Sequence, residues 1–293
     1  MHRFRLYAFQ QNSNSKHGQK RSTMNLPTAW LLLTIFAPPA LETRSAIPRP
    51  NWKVLSIIHA PEAFQAVASD NEHYYFIGSR SIVQYSRKTK QRIATSTGSA
   101  QHLNSGFFWK KQLLCAHSNY PQVPERSEIK ILSPKTMTLS TYKTFGDYGG
   151  SLTWAVFHKD SWWCNFARYG EENGQTFLVQ FDRDWRELQR WHYPEDVIRE
   201  LGSYSLSGGL WYNQHLLVTG QDKPVLYELE VCQQQHTLKL VAKHDIPFSG
   251  QGIAIDVLTQ GLLGIQRDKQ QVILATLCCK IVSRKQGPRY PLP

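Results

Sequence analysis

The sequence predicts an all-β protein, a single β-propeller with five four-stranded blades. A strand pattern recurs five times along the 293 residues, at intervals of about 40 to 50 residues, which is the spacing of propeller blades. Helical periodicity is nearly absent, and a hydrophobic content of 41% is enough for a packed core between sheets. One additional strand near the N-terminus supplies the strand that the last repeat lacks.

The first residues predict an export signal rather than part of the propeller. Residues 1–46 contain six basic residues against one acid, and residues 29–37 form an apolar run that is followed by prolines and small residues. The run is too short to span a bilayer comfortably, so we expect no stable membrane span. Signal cleavage is expected between 40 and 46, after Ala40, Ser45 or Ala46, and translation could start at Met1 or Met24. An uncleaved anchor or a core segment is the alternative.

The repeat unit is clearest in residues 102–121, where an apolar strand, a two-lysine turn and a second strand lie between polar ends. Each copy continues with a third strand, and four of the five continue with a fourth. The predicted inner strands lie at 65–68, 105–108, 153–156, 207–210 and 251–254.

Closure of the ring is predicted from a spare strand at about 52–58. The fifth repeat has no fourth strand of its own, and pairing the spare strand with it removes two open sheet edges. A two-sheet sandwich, the alternative architecture, does not explain the repeat period. The propeller is therefore assigned to 52–277, and 278–293 is a basic, proline-containing tail.

Charge and cysteine content exclude two classes of protein. The net charge of +12 is concentrated in the leader and the C-terminal tail, with no basic stripe and interleaved aromatics between them, so we expect no nucleic-acid partner. Five cysteines are an odd number and form no disulfide framework; Cys115 and Cys164 end second strands, where buried thiols are common. We expect a monomer.

The repeat register places one set of polar residues around the channel mouth. In a propeller, the loops leading into the inner strands and those between second and third strands share one face. We expect a small polar or carboxylated molecule to bind there, with Arg168 on its carboxylate and Trp154 and Tyr120 as flat walls. The complete set of expected binding residues is Asn104, Asn119, Tyr120, Trp154, Asn165, Arg168, Tyr169, Ser207, Asp222 and Gln251.

Three side chains are candidate proton carriers at this mouth. His102 and His117 titrate near neutral pH and are the candidate general acid and base, and Asp147 is the third catalytic candidate. Asp147 and Asp222 are the reasonable pair for glycoside hydrolysis. The competing interpretation is that these polar residues bond the backbone of irregular loops.

No cofactor or metal is expected. The sequence contains no P-loop, dinucleotide-binding fingerprint or G-x-S-x-G elbow. His102 and His117 have no third histidine or carboxylate at ligand-like spacing, and a structural zinc needs four ligands.

Several segments resemble a group of exported bacterial β-propeller proteins of lactonase-like type that are often labelled cycloisomerases. The resemblance spans residues 55–277, and it is carried by HLNSG, CAHSNYPQVP, GSLTW, FLVQFDRDW, LLVTGQD and SGQGIAID. It implies a propeller fold and an isomerising or hydrolysing activity on a lactone-like substrate. The alternatives are a non-catalytic binding module for a sugar or cell-envelope component and a protein-interaction propeller.

Overall fold

Five antiparallel sheets of four strands each make up the computed structural model, which describes residues 52–277. The predicted leader and the C-terminal tail lie outside the described residues. Blade 1 contains β2 (Ala66–Ser69), β3 (His73–Ile77), β4 (Ile82–Ser86) and β5 (Arg92–Thr95), and a separate strand, β1 (Trp52–His59), precedes it. Blade 2 contains β6 (His102–Trp109), β7 (Gln112–Ser118), β8 (Ser127–Ser133) and β9 (Thr138–Gly146).

The remaining blades repeat this order. Blade 3 contains β10 (Ser151–His158), β11 (Ser161–Ala167), β12 (Phe177–Phe181) and β13 (Glu187–His192). Blade 4 contains β14 (Gly208–Tyr212), β15 (His215–Thr219), β16 (Val225–Glu230) and β17 (Lys239–Asp245), and blade 5 contains β18 (Ala254–Ile255), β19 (Leu262–Gln266) and β20 (Gln271–Leu277). One α-helix, α1 (Glu195–Leu201), connects blades 3 and 4, and short 3-10 turns occupy Gly170–Gln175 and Arg267–Lys269. None of the helices in residues 52–277 is long and apolar enough to cross a bilayer.

The predicted closure is confirmed. β1 pairs antiparallel with β20 from Trp52 opposite Leu277 to His59 opposite Gln271, which makes it the outermost strand of blade 5. The first described strand therefore completes the last sheet, and the all-β, five-bladed prediction holds.

One predicted inner strand is much shorter than expected. In place of the strand predicted at 251–254 the structure has the two-residue strand Ala254–Ile255, and Gln251 has a left-handed backbone with φ of 67° that does not fit a strand. Its N–H donates to the carbonyl of Gly220 at 2.7 Å, so this residue ties blade 5 to blade 4 instead of extending the strand.

The core consists of apolar layers between neighbouring sheets. The layer between blades 3 and 4 is centred on Trp154, which is fully buried, and its indole fills the space left by Gly209. A Cβ atom at Gly209 would lie 2.4 Å from the Trp154 ring, so glycine is required by the close approach.

A buried ion pair joins blade 5 to blade 1. The carboxylate of Asp256, which is 0% exposed, accepts hydrogen bonds from Arg87 at 2.6 and 2.9 Å. Ser69 and Thr259 donate three more hydrogen bonds to it, at 2.8 to 3.0 Å. These contacts lower the pKa of Asp256 to about 2, although burial alone would raise it.

Candidate functional site

Hydrogen bonds join adjacent blades near the upper face of the ring, defined as the face where the chain leads into the inner strands. Every blade junction has at least one such bond. The five bonds, from blade 1 around the ring, are Leu103 N to Ser79 O at 2.8 Å, Asn104 Nδ2 to Leu152 O at 3.1 Å, Thr153 Oγ1 to Leu206 O at 2.6 Å, Thr219 Oγ1 to Gln251 O at 2.6 Å, and Gly252 N to Gln65 O at 2.9 Å.

Several residues expected to line the channel mouth are engaged in hydrogen bonds within or between the blades. Asn104 and Gln251 are buried, and Asn165 is fully buried, with its amide donating to Thr153 Oγ1 at 2.8 Å. Ser207 donates its backbone N–H to Thr219 O at 2.9 Å. Trp154 requires a correction: its indole lies in the core between blades 3 and 4 and offers no wall at the surface.

The two histidines lie on opposite sides of the blade 2 sheet, contrary to the expectation that they face each other. His102 pairs with Ser118, whereas His117 pairs with Leu103, because a bulge between Leu103 and Gly106 shifts the register of β6 against β7. Adjacent strand positions point to opposite faces. The register therefore directs the two predicted proton carriers to opposite faces of the sheet, although the charge of His102 still contributes to lowering the pKa of His117.

His117 holds a loop together. Its Nε2 accepts a hydrogen bond from the backbone N–H of Gln101 at 2.9 Å, and its Nδ1 lies 3.7 Å from Glu128. Burial lowers the pKa of His117 to about 4, with a contribution from the charge of Lys130, so the ring is neutral near pH 7.

The other expected residues from blades 2 and 3 form an aromatic and charged patch on the upper face. The Tyr120 ring lies 5.3 Å from His102 and 4.8 Å from Tyr169, measured between centroids. We call this patch, together with Glu125 and Arg168, the rim cluster. Burial lowers the pKa of His102 and raises that of Tyr169, and the nearby charge of Glu125 raises the latter further.

Glu125, a member of the rim cluster, has a carboxylate oxygen without a hydrogen-bond partner among the described residues. Its Oε2 is buried and accepts no hydrogen bond from the described residues. Burial raises its pKa; Arg168 lowers it, and Asp147 and Glu172 raise it again. Arg168 itself contacts Glu172 at 3.1 Å. The guanidinium that acts on Glu125 is therefore already paired with Glu172, and Asp147 and Glu172 add negative charge near Glu125.

The remaining predicted residues have local partners. Asn119 closes the loop ahead of β8 by donating to Pro124 O at 3.0 Å and accepting from Arg126 N at 2.7 Å. Asp147 accepts from the N–H of Gly149 at 3.2 Å. Asp222 forms an ion pair with Arg267 on the other side of the ring. The structure therefore does not place Asp147 and Asp222 together as a carboxylate pair.

Three cavities lie outside the rim cluster. A cavity of about 290 Å³ surrounds the axis where the inner strands end at the lower face, and residues of β2, β6, β10, β14 and β18 line it. A second, of about 390 Å³, lies between blades 4 and 5, and a third, of about 370 Å³, lies between blades 3 and 4. His158 and Trp211 line both the axial and the third cavity, with their rings stacked at 4.6 Å.

Sequence reasoning missed Glu125 and the cavity residues for different reasons. Glu125 is the only acid in the loop that joins β7 to β8, and the register had already placed that loop on the upper face, so the signal was present. Cavity residues such as Trp52 and His244 lie far apart in the sequence, so no local sequence pattern predicts that they line the same cavity. Within residues 52–277, no group of three or more potential ligands could hold a metal ion.

Comparison with known proteins identifies the fold class. No family model matches the sequence, and no curated protein matches it. A glutaminyl cyclase from Myxococcus xanthus has a similar structure, with a TM-score of 0.54 and 11% identity over 77% of this chain and 96% of that one. A chain of a mitotic checkpoint complex aligns with a TM-score of 0.44 and 10% identity, over 86% of this chain and 99% of that one.

The class of protein is thus defined by its architecture. Five four-stranded sheets closed by an N-terminal strand make this chain a five-bladed β-propeller. At 11% identity, the likeness to the cyclase extends to the fold and no further.

Proposed function

We propose that this protein binds a small molecule with a positively charged amine at the rim cluster. The observation that carries the proposal is the buried, unpartnered Oε2 of Glu125. An unpartnered buried carboxylate oxygen is costly, and a charged donor that reaches it recovers a strong hydrogen bond.

The charges around Glu125 favour a cation over an anion. Asp147 and Glu172 add negative charge near Glu125, and Arg168, the cation that acts on it, already contacts Glu172 at 3.1 Å. A carboxylated ligand, expected from the sequence alone, would therefore meet more negative than positive charge. The rings of Tyr120 and Tyr169, 4.8 Å apart, add faces that attract ammonium groups.

Calorimetric titration with matched probes tests the proposal. Phenethylamine carries an ammonium on a small aromatic body, and 3-phenylpropanoate carries a carboxylate on a similar one. We expect the amine to bind more tightly, and Glu125→Gln to weaken it about tenfold through loss of a charge-assisted hydrogen bond. Glu72→Gln, at an exposed turn of blade 1, is the control and should leave the affinity unchanged.

Three results would contradict this assignment. Tighter binding of 3-phenylpropanoate would favour the prediction, made from the sequence, that Arg168 binds the carboxylate of a ligand. Binding of neither probe, with affinity for oligosaccharides instead, would favour a sugar-binding module. Affinity only for another protein would favour an interaction propeller.

A catalytic role is the second candidate, supported by the opposed pKa shifts in the rim cluster. Burial raises the pKa of Glu125 and lowers that of His102, which suits one group to donate a proton and the other to accept one. Cyclisation of an N-terminal glutamine would use such groups: the amine nitrogen attacks the side-chain amide carbon and ammonia leaves. Opening or closing of a lactone, expected from the sequence resemblance, would use them as well.

Ammonia release from a glutaminyl peptide and hydrolysis of a chromogenic lactone distinguish these reactions. If either occurs, Glu125→Gln and His102→Asn should each lower kcat by about a hundredfold or more, the scale of general acid and base catalysis. Turnover that survives both substitutions would exclude the rim cluster as the catalytic site.

Export remains a proposal that rests on the leader. N-terminal sequencing of protein recovered from the medium or periplasm should find a start between residues 41 and 47, after cleavage at one of the sites expected from the sequence. Recovery of the chain only from the cytosol, with residues 1–46 attached, would refute it.

A further inference from the structure

Two residues that line the cavity between blades 4 and 5 each have a buried polar atom without a hydrogen-bond partner among the described residues. The indole Nε1 of Trp52 and the imidazole Nδ1 of His244 both lie within its lining residues, and neither makes a hydrogen bond among the described residues. Buried polar groups are nearly always satisfied, so two in one cavity indicate a missing partner.

The chemistry of the two atoms is complementary. Trp52 Nε1 can only donate a hydrogen bond. His244 Nε2 lies 2.7 Å from the carboxylate of Glu228, and in the tautomer that donates to this carboxylate Nδ1 is an acceptor. The cavity thus presents one donor and one acceptor.

The carboxylate that lines the cavity already has contact partners on both oxygens. The two carboxylate oxygens of Glu228 contact different imidazoles, those of His215 and His244, and the pKa of Glu228 is lowered by these contacts, against the effect of burial. A second carboxylate would face Glu228 directly, and a cation would find its oxygens occupied. A neutral ligand has neither difficulty.

The walls are apolar and the volume suits a small molecule. Leu217, Leu226, Ile255 and Leu262 contribute to the lining, and the volume of about 390 Å³ lies in the range of small-molecule pockets. An apolar body would therefore be buried while its polar group meets Trp52 and His244.

We propose that this cavity is a binding site for a neutral, largely apolar small molecule bearing a primary amide or an equivalent donor and acceptor pair. The amide oxygen accepts from Trp52 Nε1, and the amide N–H donates to His244 Nδ1. The site is separate from the rim cluster, which belongs to blades 2 and 3, and it does not depend on the proposed function.

NMR of the full chain tests the site directly. Each of the nine tryptophans gives one indole N–H signal, and the signal missing in Trp52→Phe belongs to Trp52. Titration with 3-phenylpropanamide should shift this signal downfield as its hydrogen bond forms, with a dissociation constant on the order of millimolar for a ligand of this size.

Matched probes and variants complete the test. The isosteric 3-phenylpropanoate and the hydrocarbon propylbenzene should each bind at least about fivefold more weakly than the amide. Trp52→Phe should weaken amide binding about fivefold to tenfold, the scale of one hydrogen bond, whereas Trp109→Phe, in the aromatic cluster between blades 2 and 3, should not.

A second variant avoids dependence on the folding of Trp52→Phe. Leu217→Trp places a larger side chain in the cavity from a strand of blade 4, keeps both polar atoms, and should abolish amide binding. The proposal is overturned if the Trp52 signal does not move at about 10 mM amide, if the carboxylate binds as well as the amide, or if Leu217→Trp leaves binding unchanged.

Discussion

Replacing Asp256 with Asn removes the charge of the buried ion pair that joins blade 5 to blade 1. The carboxylate is 0% exposed and accepts hydrogen bonds from Arg87, Ser69 and Thr259. Its pKa in the folded protein is about 2, against an ordinary value of 3.8. Each tenfold change in proton affinity is worth about 1.4 kcal/mol, so the lowered pKa corresponds to about 2.5 kcal/mol of stability at neutral pH.

The sign of the pH dependence follows from the direction of the shift. A carboxyl group whose folded-state pKa is lowered stabilises the fold above its unfolded pKa and loses that effect as the pH falls. The contribution of Asp256 should therefore be complete above about pH 4 and lost as the pH approaches about 2. Near pH 2, the protonated Asp256 and an Asn are nearly equivalent.

Urea unfolding followed by tryptophan fluorescence measures both quantities. At pH 7 the Asp256→Asn variant should lose at least about 2.5 kcal/mol of unfolding free energy, since Arg87 is left without its counter-ion. The loss should diminish steadily between about pH 4 and pH 2. Urea is preferred to guanidinium because it is uncharged and does not screen ion pairs.

Asp160→Asn is the matched control. Asp160 also pairs with an arginine, Arg183, but both side chains are mostly exposed, at 75% and 68%. Exposed pairs contribute little, so the change should stay below about 1 kcal/mol. A loss for Asp256→Asn that is under about 1 kcal/mol, or that is equal at pH 7 and pH 2.5, would refute the reasoning.

Three further outcomes are expected. Gly209→Ala should destabilise the protein by about 1–3 kcal/mol through overpacking, measured by urea unfolding, whereas Gly174→Ala, with nothing within 4 Å, should be nearly neutral. Wild type should lose stability as the pH falls from 6.5 toward 4, because the fold keeps His117 neutral with a pKa of about 4; His117→Gln should remove up to about 3 kcal/mol of that loss. Iodoacetamide should modify Cys232 in the native protein but Cys164 only after unfolding, as judged by mass spectrometry; equal labelling would contradict the burial of the Cys164 thiol.

The blade pattern was predictable because the information in it is local. Alternating apolar strands, lysine and glycine turns and a regular period are properties of short segments, and they led to the sheets and to β1 as the closing strand. The position of Trp154 was not predictable in this way. Its burial depends on Gly209, which lies in a different blade and makes room for its ring.

The candidate site was predicted only in part, because some of its features are local in the sequence and others depend on distant contacts. The sequence placed Tyr120, Arg168 and Tyr169 on one face, and the structure brings Tyr120 and Tyr169 into contact. The bulge in β6 was not visible in the sequence, and a one-residue shift of register reverses the side to which a residue points. This shift in register directs His102 and His117 to opposite faces of the sheet.

Closure by β1 also sets an order of events during synthesis. A chain emerges from the ribosome with its N-terminus first, so residues 52–59 are made early, while their pairing partner, Gln271–Leu277, is made last. Until then β1 has an open edge, and blade 5 lacks its outermost strand. The four complete blades can form in sequence as they are made, but β1 can pair with β20 and close the ring only when synthesis of the propeller is finished.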